Sequence, residues 1–280
     1  VVKETKRISR NRLVTGGEKR KLPENTGVYA PVTHSTAMTI KSPLVAPLAA
    51  AALLAIAGNA FAQDAPAKPK AKRDPNPAMA PIEDVAGLPR VLLIGDSISI
   101  GYTLHVRELL KGKANVHRIP TNGGPTTNGV ANLKTWLGDS KWDVIHFNFG
   151  LHDLVYMGPD GKRGVDPKIP GAHHQVALPD YEKNLTEIVT TLKSTGAKLI
   201  WCNTTPVPEG TTNRVADESM QFNAAAAAVM GKAGVPINDL HSHAQARLAE
   251  VQLPANVHFS DPGSAYLAEK VAAEIGKALK

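Results

Sequence analysis

Three stretches of this chain put side chains with nucleophilic or acid–base capacity at the ends of apolar runs. "RVLLIGDSI" ends in Asp96-Ser97, "DVIHFNFGLHD" ends in His152-Asp153, and "ANVHFSDPG" sets His258 before the last helix-like segment. A serine hydroxyl attacks an acyl carbonyl when a base within hydrogen-bond reach takes its proton and fixed donors hold the oxyanion. Ser97, on a turn after a buried strand, is such a hydroxyl. His258 is the base that takes its proton and returns it to the leaving alcohol. Ser99 is the rival nucleophile, and capping the next helix is the alternative duty of Ser97. "TNGGPTTNG" adds glycines whose backbone approaches a substrate closely. The expected oxyanion donors are the N–H groups of Ser97 and Gly124, with Gly123 as the alternative register and Asn122 as a turn residue.

The elements that must hold these residues follow from hydrophobic spacing. Short apolar runs predict strands at 90–98 (closing in a turn), 115–120, 143–150, 197–203 and 235–239. Helices are predicted at 102–112, 128–138, 179–196, 216–234 and 264–279. The third of these is strongly amphipathic, with Leu185, Ile188, Val189 and Leu192 on one face and Gly196 as its stop. Strands alternating with helices predict one domain with a parallel sheet covered on both faces. Ligands in such sheets gather at the carboxyl ends of the strands, where Ser97, Gly124 and His152 stand.

This ordered set resembles the SGNH (GDSL-like) hydrolase family across residues 88–280. "GDS" matches its first block, whose serine is the nucleophile, and "NGG" suits its glycine block. "GLHD" stands in the place of its Gly-x-Asn-Asp block, and "VHFSDPG" matches its histidine block. "FNFGLHDL", "TTPVPEG" and "NVHF" are similar to a bacterial secreted subgroup. The resemblance implies a flavodoxin-like, three-layer α/β/α sandwich with a central parallel sheet of about five strands. It also implies a serine esterase without a cofactor, acting on a small-molecule or polysaccharide ester such as an O-acetylated carbohydrate. Lipids and thioesters stay open as substrates, and a catalytically impaired carbohydrate-binding protein is the alternative.

Two positions depart from the family pattern. Where the third block carries an oxyanion-binding asparagine, this chain has His152. A neutral imidazole donates one N–H and a protonated one donates two, so such a donor depends on pH. Lining the pocket is its alternative role, Asn148 is the fallback donor, and Asp153 is expected to anchor the loop by accepting backbone N–H bonds. The last block is ordinarily Asp-x-x-His, yet Ala255 stands three residues before His258. The orienting acceptor is then a main-chain carbonyl near Ala255, or Asp261.

Composition narrows the rest. Of the net charge of +7, residues 1–37 carry +5 and Lys41 one more, so the chain beyond Gln63 is nearly neutral and no nucleic-acid partner is expected. Aromatic residues make up 5%, too few for many base- or sugar-stacking platforms. The single cysteine, Cys202, excludes an internal disulfide and reads as a core residue. His173-His174 and His241-x-His243 lack the i, i+4 spacing of zinc hydrolases, so no metal is expected. His173-His174 closes a long Gly/Pro-rich loop read as a lid or substrate wall. Residues 38–62 have a charged start, an apolar run from Leu44 to Ala57 and Ala60-Phe61-Ala62 as a cleavage site, which predicts a signal peptide and export. Met38 then reads as the initiator and residues 1–37 as a non-native or disordered extension. Residues 63–87, rich in Pro, Ala and Lys, read as a linker. No stable membrane anchor is expected after cleavage.

Overall fold

The computed structural model describes residues 76–280. The expected extension, signal peptide and first part of the linker lie outside the described residues. Ten elements carry the main layers: β1 (Arg90–Ile94), α1 (Ser97–Leu109), β2 (Asn115–Arg118), α2 (Thr126–Leu137), β3 (Val144–Phe147), then, after a two-stranded ribbon of β4 (Tyr156–Met157) and β5 (His173–His174), α3 (Leu178–Lys193), β6 (Lys198–Cys202), α4 (Ser219–Ala233) and β7 (Ile237–Asn238), and finally, beyond two short helices, α5 (Leu240–Gln245) and α6 (Leu248–Val251), the long α7 (Asp261–Ala278).

The five main strands run parallel in the order β2-β1-β3-β6-β7. This is the expected central sheet with helices around it. The strand interiors are almost continuously apolar and buried, as in β1 (Val91, Leu92, Leu93, Ile94) and β6 (Leu199, Ile200, Trp201, Cys202), because both faces are covered. Helices α1 and α7 pack together, and α2, α3 and α4 form a separate packed row. On α3, Tyr181, Leu185, Ile188, Val189 and Leu192 are buried, at about 2 kcal/mol of transfer free energy each. That face, rather than helix propensity, holds the element in place.

The chain leaves β1 toward β2 on one side and returns to β3 on the other. The crevice between the carboxyl ends of β1 and β3 is therefore the switch point where such sheets take ligands. Ser97 follows β1 and His152 follows β3. Packing of α7 on α1 brings the chain just before α7 to the same place. Gly101 permits the approach, since a Cβ there would lie 3.0 Å from Ser264 Oγ.

Three features differ from the sequence expectation. First, α1 starts at Ser97 rather than near residue 102. Asp96 caps it by accepting the Ile98 N–H at 2.9 Å, so Ser97 is the first helical residue and not the cap. Second, residues 76–87 are attached to the domain instead of forming linker. Ala78 is buried, Val85 N–H donates to Asn115 Oδ1 at 2.9 Å, and Asp84 pairs with Arg90 (2.8 Å) and His117 (2.6 Å). A Pro/Ala-rich composition announces extended backbone but not the partners that hold it. Third, His173-His174 forms a strand against Tyr156-Met157. His174 Nε2 bonds Glu218 Oε2 at 3.0 Å and packs edge-on to Tyr156 and Phe222, a structural tie. Cys202 is buried and its thiol is pushed upward by burial, so it stays unionised in the core.

Candidate active site

Ser97 and His258 lie 161 residues apart and meet, with Ser97 Oγ 2.9 Å from His258 Nε2. Both line a cavity of about 370 Å³ together with Asp96, Asn122, His152, Arg163 and Arg214. Ser99 is buried beneath this turn, where its hydroxyl accepts Arg118 Nη2 at 2.7 Å. Arg118, at the end of β2, also donates to Gly95 O (3.2 Å) and Thr121 O (3.1 Å), tying the serine turn to the glycine loop. Burial pushes its guanidinium down to about 10, so it stays charged at neutral pH. The sequence reading did not single out this side chain.

The acceptor behind His258 is Asn256. Its Oδ1 lies 2.7 Å from His258 Nδ1 and also accepts the His258 backbone N–H at 3.0 Å. A backbone N–H only donates, so the carboxamide oxygen must face the histidine. The ring then carries its proton on Nδ1 and leaves Nε2 bare toward the Ser97 hydroxyl. This corrects the expectation of a main-chain carbonyl near Ala255 or of Asp261. Asp261 opens α7 and its Oδ1 faces His105 Nε2 at 3.2 Å. Ala255 instead adopts a left-handed φ of 51°, turning the chain so that the next side chain reaches the ring.

Asn256 therefore fixes the tautomer without supplying a charge. Asn256→Ala is expected to lower kcat by about 10², less than the roughly 10⁴ lost where a protease triad is left with the wrong tautomer. Asn256→Asp is expected to keep near-wild-type turnover and move the acid limb of the pH–rate profile upward, since a carboxylate favours the protonated ring. An alanine variant with wild-type kcat across the pH range would remove Asn256 from this role.

The donors around Ser97 are arranged differently from the expectation. The Ser97 N–H is the first of α1, where helical N–H groups lack an intrahelical partner and carry the positive end of the dipole. The Gly124 N–H is given to Asn122 Oδ1 at 2.9 Å. That bond turns the Asn122 amide so that Nδ2 is its remaining donor group, and Asn122, not Gly124, lines the cavity. The Gly123 N–H goes to Gly95 O at 2.9 Å, and a Cβ at Gly123 would sit 3.0 Å from that oxygen, so glycine is needed to close the loop on the serine turn. Asn148 spends its Nδ2 on Cys202 O at 2.8 Å and lies outside this cavity.

His152 is half-buried, with Nδ1 3.2 Å from Arg163 Nη2. A guanidinium only donates, so Nδ1 accepts and the proton of the neutral ring is on Nε2. Burial, aided by the Arg163 and Arg214 charges and opposed by Asp96, holds His152 below the ordinary histidine range. It is therefore a neutral, single-proton donor at and above neutral pH. Asp153 is fully buried and its Oδ1 accepts the Thr126 N–H (2.8 Å) and hydroxyl (2.5 Å) at the start of α2. Burial pushes its carboxyl up to about 7. It anchors the loop that carries His152.

A model of the GDSL-like lipase/acylhydrolase family matches residues 93–266. The chain belongs to that family of ester-hydrolysing enzymes. No curated protein sequence matches this acylhydrolase. Its fold is similar to a lipase/acylhydrolase from Enterococcus faecalis (TM-score 0.57, 20% identity, 69% of this chain and 98% of that one). It is also similar to the acetyl xylan esterase AlAXEase (0.54, 16%, 66% and 99%). A third likeness is to an acetylxylan esterase from Geobacillus stearothermophilus (0.53, 19%, 67% and 94%).

Substitution at His152 separates its two readings in this acylhydrolase. His152→Asn is expected to stay within about tenfold of wild type with an unchanged profile above neutral pH, while His152→Leu loses about 10² in kcat. Steady-state kinetics on an aryl acetate give both values. A leucine variant as active as wild type would leave His152 as a wall of the cavity only.

Proposed function

We propose that this acylhydrolase removes O-acetyl groups from carbohydrate outside the cytoplasm. The observation that carries the reading is the Ser97 Oγ–His258 Nε2–Asn256 Oδ1 chain opening into a cavity of about 370 Å³. In this reading His258 takes the Ser97 proton as Oγ bonds to the acetyl carbon. The oxyanion is held by the N–H of Ser97, Nδ2 of Asn122 and Nε2 of His152. Gly124 acts one bond back, by orienting Asn122. The tetrahedral adduct collapses when His258 gives its proton to the leaving sugar hydroxyl, which departs and leaves acetyl-Ser97. Water, deprotonated by His258, then attacks that ester and releases acetate, and Oγ recovers its proton.

Similarity in fold to two acetylxylan esterases supports the acetyl part of the reading. The test is acetate release from acetylated xylan, beside hydrolysis of p-nitrophenyl acetate, by wild type and Ser97→Ala. Wild-type rates no higher than the variant's on either substrate would end the proposal. Export rests on the apolar run and Ala-x-Ala site of residues 38–62. N-terminal sequencing of the natural protein is expected to find Gln63 first, and an intact residue-38 segment in the mature protein would contradict it.

A further inference from the structure

Beside Ser97 the cavity wall carries two guanidinium groups, Arg163 from the β4–β5 loop and Arg214 from the loop after β6. Each is tethered at one end. Arg163 Nε donates to Gln175 Oε1 (2.6 Å) and one Nη2 proton goes to His152. Arg214 Nε donates to Leu151 O (2.8 Å) and Nη1 to Asn213 Oδ1 (2.9 Å). A guanidinium has five N–H groups, so each retains three without a partner among the described residues. Neither pairs with a carboxylate among the described residues. The one acidic residue of the lining, Asp96, is buried and bonded to the Ile98 N–H. Arg214 is half-buried, and its Nη2, without a partner among the described residues, is not sealed from solvent. Burial first and the Arg163 charge second, opposed by Asp96, bring it down to about 10. Tethered guanidinium forks without a carboxylate partner, here one half-buried (Arg214) and one exposed (Arg163), are a donor set for planar or tetrahedral oxyanions.

We propose that Arg163 and Arg214 form a subsite for an anionic group on the sugar that bears the ester, so that the preferred substrate is an O-acetylated acidic sugar, a uronate or a sulfated sugar, rather than a neutral one. This rests on the esterase reading above and adds the charge of its substrate. Apart from the one Arg163 N–H that sets the His152 tautomer, the reaction at Ser97 uses none of their N–H groups, whereas a carboxylate or sulfate beside the reacting ester would meet those left free.

The test compares pairs in which only that charge changes. The wild-type protein is given O-acetylated methyl glucuronoside and its methyl ester, and O-acetylated glucose 6-sulfate and O-acetylated glucose, with acetate release measured. At least one anionic member is expected to exceed its neutral partner by about tenfold or more in kcat/KM, with the advantage falling as salt rises. The member showing the advantage tells carboxylate from sulfate. Arg214→Gln and, separately, Arg163→Gln are expected to bring the ratio toward one, whereas a purely structural role would lower both members alike. Neutral members handled as well as the anionic ones would overturn the proposal. If no ester is cleaved, the esterase reading fails by itself, and the subsite is judged by calorimetry. Glucuronate or glucose 6-sulfate binding no better than methyl glucuronate or glucose would overturn it there.

Discussion

Ser97→Ala is expected to lower kcat on acetyl esters by about 10⁴ or more with little change in KM. In the proposed mechanism the alanine removes the atom that bonds to the acyl carbon but leaves Asn122, His152 and the cavity wall in place. Ser97 is only partly exposed, Asp96 caps α1 without its help, and among the described residues the lost hydroxyl has no partner besides His258. Folding is therefore expected to be unaffected within about 0.5 kcal/mol, which thermal or urea unfolding checks beside the kinetics. Residual activity above the uncatalysed rate would come from the oxyanion donors alone. Retention of more than a tenth of wild-type kcat would mean that another group is the nucleophile. Ser99 is not ready to replace it, since it is buried and bound to Arg118.

His258→Ala is the second large effect, about 10³–10⁴ in kcat, because the Ser97 proton then has no acceptor at 2.9 Å. The two residues act as one unit, so Ser97→Ala/His258→Ala is expected to be no worse than the poorer single variant. Additive losses in the double variant would mean that the two side chains work in separate steps. His152 is not expected to rescue the alanine variant. Its Nε2 carries the proton while Nδ1 accepts from Arg163, so it presents a donor where a base is required.

The parts of this site that were legible in the sequence are those fixed by local pattern. Ser97 sits at the end of an apolar run, and parallel sheets put that end at the ligand crevice. His258 precedes an evident amphipathic helix, and α7 packing on α1 places it. Asn256 was not legible. Its role depends on the left-handed turn at Ala255, and alanine gives no warning of a positive φ. The family pattern puts the acceptor three residues before the histidine, whereas Asn256 stands two before. Gly124 illustrates another limit. Glycine marks where backbone approaches, but only coordinates tell whether its N–H faces the cavity or the Asn122 side chain. Arg163 and Arg214 lie in loops without periodicity, where sequence offers no means of pairing residue 163 with residue 214.

The same distinction holds for the elements. The core strands and the amphipathic α3 carry their own signal. The ribbon of Tyr156-Met157 with His173-His174 does not, because two-residue strands are set by the loop between them and by ties such as His174 to Glu218. The start of α1 was misplaced because Ile98, although helical, is buried and continues the apolar run of β1. An aspartate before a serine reads equally well as a turn or as a cap.

In the proposed mechanism every step depends on Ser97 being the activated nucleophile. Labelling with a serine-directed fluorophosphonate, followed by peptide mass mapping, tests that directly. One adduct is expected, on the peptide containing Ser97, absent in Ser97→Ala and formed far more slowly in His258→Ala. An unlabelled wild-type protein, or an adduct on Ser99 with Ser97 unmodified, would contradict it.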